Sequence, residues 1–332
     1  MTTSTHTMAP GSVEPSAPTL HGDGGPHWRA EPLSILAGID FSPCSEFVLR
    51  WCARLAEGRA ARIELMHAVE PSILSLPPST QSFVEHRARA RLHLASAPLL
   101  DHGLEVHAEA RSGRPWEVLR DRCAEHAPDL VIVGSRGLSA MQRAFIGSNA
   151  DRLLRALEVP VLVVHEGLEP PERLHALVAT DFSRDSGEAV QALARIFGRS
   201  RLRLHATVLH VAAPPQVVDY ADIPIAPSVD WSGIEDAARH AIDECARPLA
   251  AIGVDVHPVV LRGSPARSIL AEAKDMHADL VVLGRRPSGT LERWLLGSTA
   301  ERVLHGAHCA VLTAEAARAP ARVRRTEAAI VT

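Results

Sequence analysis

The chain has 332 residues, 46% of them hydrophobic and 22% charged, which is globular composition and enough length for two ordinary cores. A formal net charge of −4 argues against a general nucleic-acid binder, and no apolar run reaches the roughly 18 residues that a bilayer crossing needs. Five cysteines (Cys44, Cys52, Cys123, Cys245, Cys309) form no Cys-x-x-Cys pair and suit a reducing cytoplasm.

Residues 1–31 are mostly Thr, Ser, Gly, Pro and His and read as a disordered arm. No Lys or Arg precedes Arg29 and no apolar block occurs there, so the arm does not read as a secretory signal. From Leu33, strands and helices alternate. Leu33–Ile39 is an apolar strand, Cys44–Glu57 has helical spacing, and Arg62–Ala68 is a second strand. A Pro-rich loop leads to a helix over Thr80–Leu100, with a bend expected at Pro98, which lacks the N–H of a helix interior. Leu104–Ala110 is a strand and Pro115–His126 a helix with proline at its start. Leu130–Val133, Ser148–Leu157 and Val161–Val164 complete a strand–helix–strand set.

The series then repeats. "SILAGIDFSPCSEFVLRWCARL" is matched by "HALVATDFSRDSGEAVQALARI", and "IELMHAVEP" by "ATVLHVAAP", which places His67 against His210. "DLVIVGSRG" returns as "DLVVLGRRP" and "FIGSNADRLLRAL" as "LLGSTAERVLHGA"; Gly134 and Gly147 thereby meet Gly284 and Gly297 at one constant offset. The unit has single-domain length, so the chain is a duplicated domain and not a solenoid. The domains read as 32–167 and 172–314, followed by a flexible basic tail over 315–332. The second copy carries an extra loop, Pro214 to Asp230.

Alternation of this kind implies a parallel sheet covered on both faces, with ligands outside the carboxyl ends of the strands. The loop "GSRGLSAMQRAFIGSN" ends the fourth strand, and Asp40 ends the first, so both fall on one rim. Gly134 leaves room for a ligand against the main chain, and Gly137 can take positive φ. Gly147, Ser148 and Asn149 open a helix, whose unpaired N–H groups suit phosphate oxygens, with Ser148 or Asn149 as cap or donor. Asp40 can accept from ribose hydroxyls at the other end. Each glycine taken singly is ordinary turn chemistry; the set, with the Asp, is more specific.

The pattern Gly-x2-Gly-x9-Gly-Ser with an Asp after the first strand resembles the universal stress protein family, as do the "DFS" start, "LMHAVEP" and "VPVLVVHE". The resemblance implies two tandem flavodoxin-like, Rossmann-type domains, each a five-stranded parallel sheet with helices on both faces. It implies ATP, with Mg2+, in the first copy: Gly38, Ile39, Asp40 and Ala68 around adenine and ribose, and Val133, Gly134, Arg136, Gly137, Gly147, Ser148 and Asn149 around phosphate. In the second copy it implies Ala179, Thr180, Asp181, Val211, Leu283, Gly284, Gly297, Ser298 and Thr299.

That second site departs from the pattern. Pro287 stands where the second glycine belongs, fixing φ near −65° and removing a donor, although Gly289 follows closely. Arg285 and Arg286 are candidates for added phosphate contacts there, and Arg143 and Arg293 for reaching over a phosphate. Arg152 and Arg302 read as solvated or carboxylate-paired, and His67 and His210 as partly buried scaffold residues. His305, His308 and Cys309, and His102 with His107, show no full metal-ligand spacing, so neither a metal site nor a catalytic residue is assigned. Neither a P-loop nor a Gly-x-Ser-x-Gly elbow occurs. A nucleotide-dependent stress module leads. A slow adenine-nucleotide hydrolase and a structural protein with vestigial sites stay open. The fifth strands are expected to pair the two copies within the chain, with a homodimer as a further option.

Overall fold

The computed structural model describes residues 32–70, 77–135, 147–213, 218–220, 223–225, 230–285 and 296–316. The first half runs β1 (Leu33–Gly38), α1 (Pro43–Ala56), β2 (Ala61–Val69), α2 (Pro78–Asp101), β3 (Glu105–Ser112), α3 (Pro115–His126), β4 (Leu130–Gly134), α4 (Ser148–Ala156) and β5 (Val161–Val164). The second half runs β6 (Arg173–Thr180), α5 (Arg184–Phe197), β7 (Arg203–Ala212), β8 (Val218–Tyr220), β9 (Ile223–Ile225), α6 (Trp231–Ala250), β10 (Asp255–Arg262), α7 (Pro265–Asp275), β11 (Leu280–Gly284), α8 (Ser298–Gly306) and β12 (Ala310–Ala314).

Ten strands make one sheet in the order β10-β7-β6-β11-β12-β5-β4-β1-β2-β3. Within each half of this sheet all pairings are parallel; at the seam β5 and β12 pair antiparallel, Leu162 opposite Leu312. The seam strands are buried throughout, so both of their faces carry Val and Leu. An antiparallel junction points the carboxyl ends of the two half-sheets to opposite rims.

Alternate strand residues feed two cores. On one face Leu33, Ile35 and Ala37 pack with α1, α2 and their counterparts α5 and α6; on the other Leu36, Val131 and Val133 pack with α3, α4, α7 and α8. Each core crosses the seam. Trp51 of α1 meets Phe197 of α5 edge to face at 6.4 Å. On the opposite face Arg155 pairs with Asp151 at 3.1 Å and reaches Glu301 of α8 at 3.5 Å, while neighbouring Arg152 and Arg302 are exposed.

Helix α2 runs through Pro98 to Asp101, close to the expected bounds; the carbonyl that proline leaves without an N–H belongs to Leu94, which is 75% exposed, so water can take the missing bond. Two features differ from the sequence reading. The extra loop of the second half contains a short antiparallel pair, Val218–Tyr220 with Ile223–Ile225. The first residues of the expected tail are docked: Glu315 is buried, and the Ala316 N–H donates to Asp185 Oδ1 at 3.1 Å.

Trp51→Ala should lower stability by about 3–5 kcal/mol, because it empties a fully buried indole site at the seam. Urea denaturation followed by circular dichroism measures it; a loss below about 1 kcal/mol would mean that the α1–α5 contact is slack.

Candidate functional site

The first half's rim holds a cavity at the carboxyl ends of β1, β2 and β4. Gly38, Ile39 and Asp40 line it from β1 and its exit, Ala68 from β2, Val133 and Gly134 from β4, and Gly147, Ser148 and Asn149 from the start of α4. Every described residue expected at this site therefore faces one space. Arg136, Gly137 and Arg143 lie outside the described residues. The matching cavity of the second half is lined by Ala179, Thr180, Asp181, Val211, Leu283, Gly284, Gly297, Ser298 and Thr299. Arg286, Pro287, Gly289 and Arg293 lie outside the described residues.

Asp40 is held by its own loop. Its Oδ1 accepts from the Ser42 N–H at 2.9 Å, from Ser42 Oγ at 2.6 Å and from Ser45 Oγ at 2.8 Å. Among the described residues nothing donates to Oδ2, which stays available to a ligand hydroxyl. Phe41 sits in the left-handed region at φ 60°, as does Phe182 after Asp181. For a bulky residue that conformation costs about 1–3 kcal/mol and persists only where neighbours enforce it. The Phe41 ring is clamped between His67, at 4.4 Å, and the Arg91 guanidinium, at 4.1 Å. Phe182 stacks on His210 at 4.5 Å.

His67 and His210 are therefore more than scaffold: each lines its cavity. The Nδ1 of His67 lies 2.7 Å from the Ile39 carbonyl, and that of His210 2.9 Å from the Thr180 carbonyl. A carbonyl only accepts, so Nδ1 carries the hydrogen in each ring. Burial pushes the His67 pKa below its ordinary value, against the Ile39 hydrogen bond and the Asp40 charge, which act the other way. The cavity also takes in Met66, Pro115, Leu119 and Ser135, which the motif did not mark. Ser135 is 1% exposed, and its Oγ has no partner among the described residues. Its place directly after Gly134 was the available signal.

The glycines do different work from that expected. Gly147 and Gly297, not the residues after them, are the N-caps of α4 and α8, at φ −62° and −59°, which any residue adopts. Glycine has no side chain to cap its helix, and among the described residues no other side chain takes the first-turn N–H groups, which face the cavity. A Cβ on Gly38 would press on Leu119 at 3.0 Å, and one on Gly284 would collide with the Ser186 nitrogen at 2.6 Å. Besides lining their cavities, these two glycines admit packing partners, α3 and α5.

Arg285 corrects a second expectation. It does not face a phosphate site: its side chain crosses the seam, 2% of the residue being exposed. Its guanidinium donates to the carbonyls of Leu154 (3.1 Å), Leu157 and Val159 (2.5 Å), at the end of α4. A long fork-shaped donor is drawn to the orphan carbonyls of a helix end just beyond the seam.

Among the described residues, Glu64, His107 and Glu109 bring ligand atoms within 4.8 Å of one another across β2 and β3. The sequence spacing concealed this group because strand pairing, not periodicity, assembles it. Its acids are already engaged: Arg122 binds Glu64 and reaches Glu109 at 3.4 Å, and Arg111 holds Glu109 at 2.6 Å. That makes an ion-pair network rather than a metal cage.

The universal stress protein family model matches residues 33–165 and 173–314. The chain belongs to the universal stress protein family. A universal stress protein of Mycolicibacterium smegmatis is 33% identical over 302 residues, covering 85% of this chain and 97% of that one. A universal stress protein of Mycobacterium tuberculosis is 29% identical over 306 residues, covering 85% and 96%. The fold matches a crystal structure of a universal stress protein from Archaeoglobus fulgidus with a TM-score of 0.66 at 21% identity, over 85% of this chain and 98% of that one. This universal stress protein is thus a tandem of two family domains, and no helix among its described residues is long and apolar enough to cross a membrane.

The low pKa of His67 makes the fold pH-sensitive. Below the unfolded value of 6.5 the unfolded chain takes up a proton that the folded site resists, so stability falls as pH drops below about 6.5. The melting temperature should decline more between pH 7 and 5 in the parent than in His67→Asn, whose amide can still reach the Ile39 carbonyl. Equal declines would show that His67 charges freely in the fold.

Proposed function

We propose that the first-half cavity binds an adenine nucleotide, ATP carried with Mg2+, and that the protein acts as a nucleotide-dependent stress-response module. The observation that supports this most is the polarity of the cavity. An oriented carboxylate with one open oxygen stands at the β1 exit, and open helix N–H groups with Ser148 and Asn149 stand opposite. The first end suits ribose hydroxyls and the second suits phosphate oxygens. Apolar walls from Ile39, Ala68 and Val133 suit a flat base between them. The unpartnered Ser135 Oγ adds a donor where the β4 exit meets the helix start.

A binding module is favoured over an enzyme because the sequence carries neither a P-loop nor a Gly-x-Ser-x-Gly elbow. The five cysteines are free and at least half-buried, which suits the reducing cytoplasm proposed as the setting.

Isothermal titration of the full chain with Mg-ATP should show saturable uptake. Asp40→Ala should weaken it about tenfold or more, the worth of hydrogen bonds to a charged group. An absence of heat, together with an unchanged melting temperature at millimolar Mg-ATP, would overturn the nucleotide reading, because a ligand of the native state must stabilise it.

A further inference from the structure

We infer that Arg285, a residue of the second half, is a positioning residue for the phosphate end of the first-half cavity, acting through helix α4. The inference rests on the nucleotide reading above. Helix α4 has nine residues, too few to hold its shape alone in water. Its first turn lines the cavity through Ser148 and Asn149. Its last turn leaves carbonyls with no helical N–H to meet, and Arg285 supplies donors to Leu154 and, just past the helix, to Leu157 and Val159. A cation at this end also complements the helix dipole, whose positive end faces the cavity.

The main chain of Arg285 is as firmly held as its side chain. Its N–H donates to the Ala314 carbonyl at 2.9 Å, and its carbonyl accepts from the Gly297 N–H at 2.9 Å. One residue thereby joins the end of β11, the start of α8 and the far end of α4. The device is one-sided. Ser135 occupies the matching position of the first half, with the same main-chain bonds to Val164 and Gly147, and it is far too short to span the seam. Replacement of the expected phosphate contact by a strut makes the second half a support for the first half's anion site.

The test is a ligand series measured by isothermal titration in an Asp181→Ala background, which removes the second-half carboxylate. Adenosine would touch the Asp40 end of the cavity only, whereas ADP and ATP would also engage α4. Arg285→Met, which keeps an apolar stem without donors, should weaken ADP and ATP about fivefold or more while leaving adenosine affinity unchanged, the lower range for coupled sites. Arg285→Lys, with one ammonium in place of the fork, should fall between Met and the parent. Should Arg285→Met not fold by circular dichroism, Arg285→Lys is judged on the same split between adenosine and ATP. Equal weakening of adenosine and ATP, or unchanged ATP affinity in a folded variant, overturns the positioning role and leaves the nucleotide reading standing. No uptake of ATP by the parent or by the Asp181→Ala background overturns both.

Discussion

The antiparallel pairing of β5 with β12 is the constraint from which the rest of the molecule follows. Each half alone would end its sheet in a short, almost wholly apolar strand, broken only by Thr313 of β12, with an unpaired row of N–H and C=O groups. Such an edge is a template for uncontrolled association. Joining the two edges satisfies the backbone groups and buries four faces of Val and Leu at once. The outer edges, β3 and β10, then become the only ends of the ten-stranded sheet, and they are built differently. β3 alternates charged residues with small ones, and β10 carries Pro258, which a central strand would not tolerate.

The seam also explains why two copies of one domain need not do one job. Once the halves are fused in a fixed register, a substitution in one copy can act on its neighbour. Arg285 is such a case: it begins in the loop frame of the second cavity and ends at the helix that opens onto the first. Asymmetry reaches the strand exits too. Where Asp40 is bonded by two serine side chains, the second half has Thr180 bonded to Ser186 at 3.1 Å beside Asp181. Asp181 Oδ1 in turn accepts from the Ser183 N–H at 3.0 Å, as Asp40 Oδ1 does from the Ser42 N–H.

Much of this was legible from residues alone. The alternation of apolar runs with helical spacing located the strands and helices of both halves, because strands buried on two faces leave unbroken Val and Leu runs. The internal repeat made the tandem plain, and the Asp and glycine motifs marked residues that prove to share two cavities. What could not be read was set by contacts distant in sequence. Periodicity does not say that Arg285 reaches across to Leu154, or that Glu64 and His107 face each other. Phe41 looked like an ordinary hydrophobic residue; its left-handed backbone is stabilised by His67 and Arg91, which come from two other elements. That Gly38 and Gly284 also make room for neighbouring helices is something that only a packed core can show.

The opposed strand directions at the seam bear on how other molecules could engage the protein. The two cavity-bearing rims look away from each other across the full depth of the sheet. A compact rigid adaptor docked on one rim cannot touch the other without wrapping around the molecule. Two separate contacts, one at each rim, are the arrangement that this geometry accommodates.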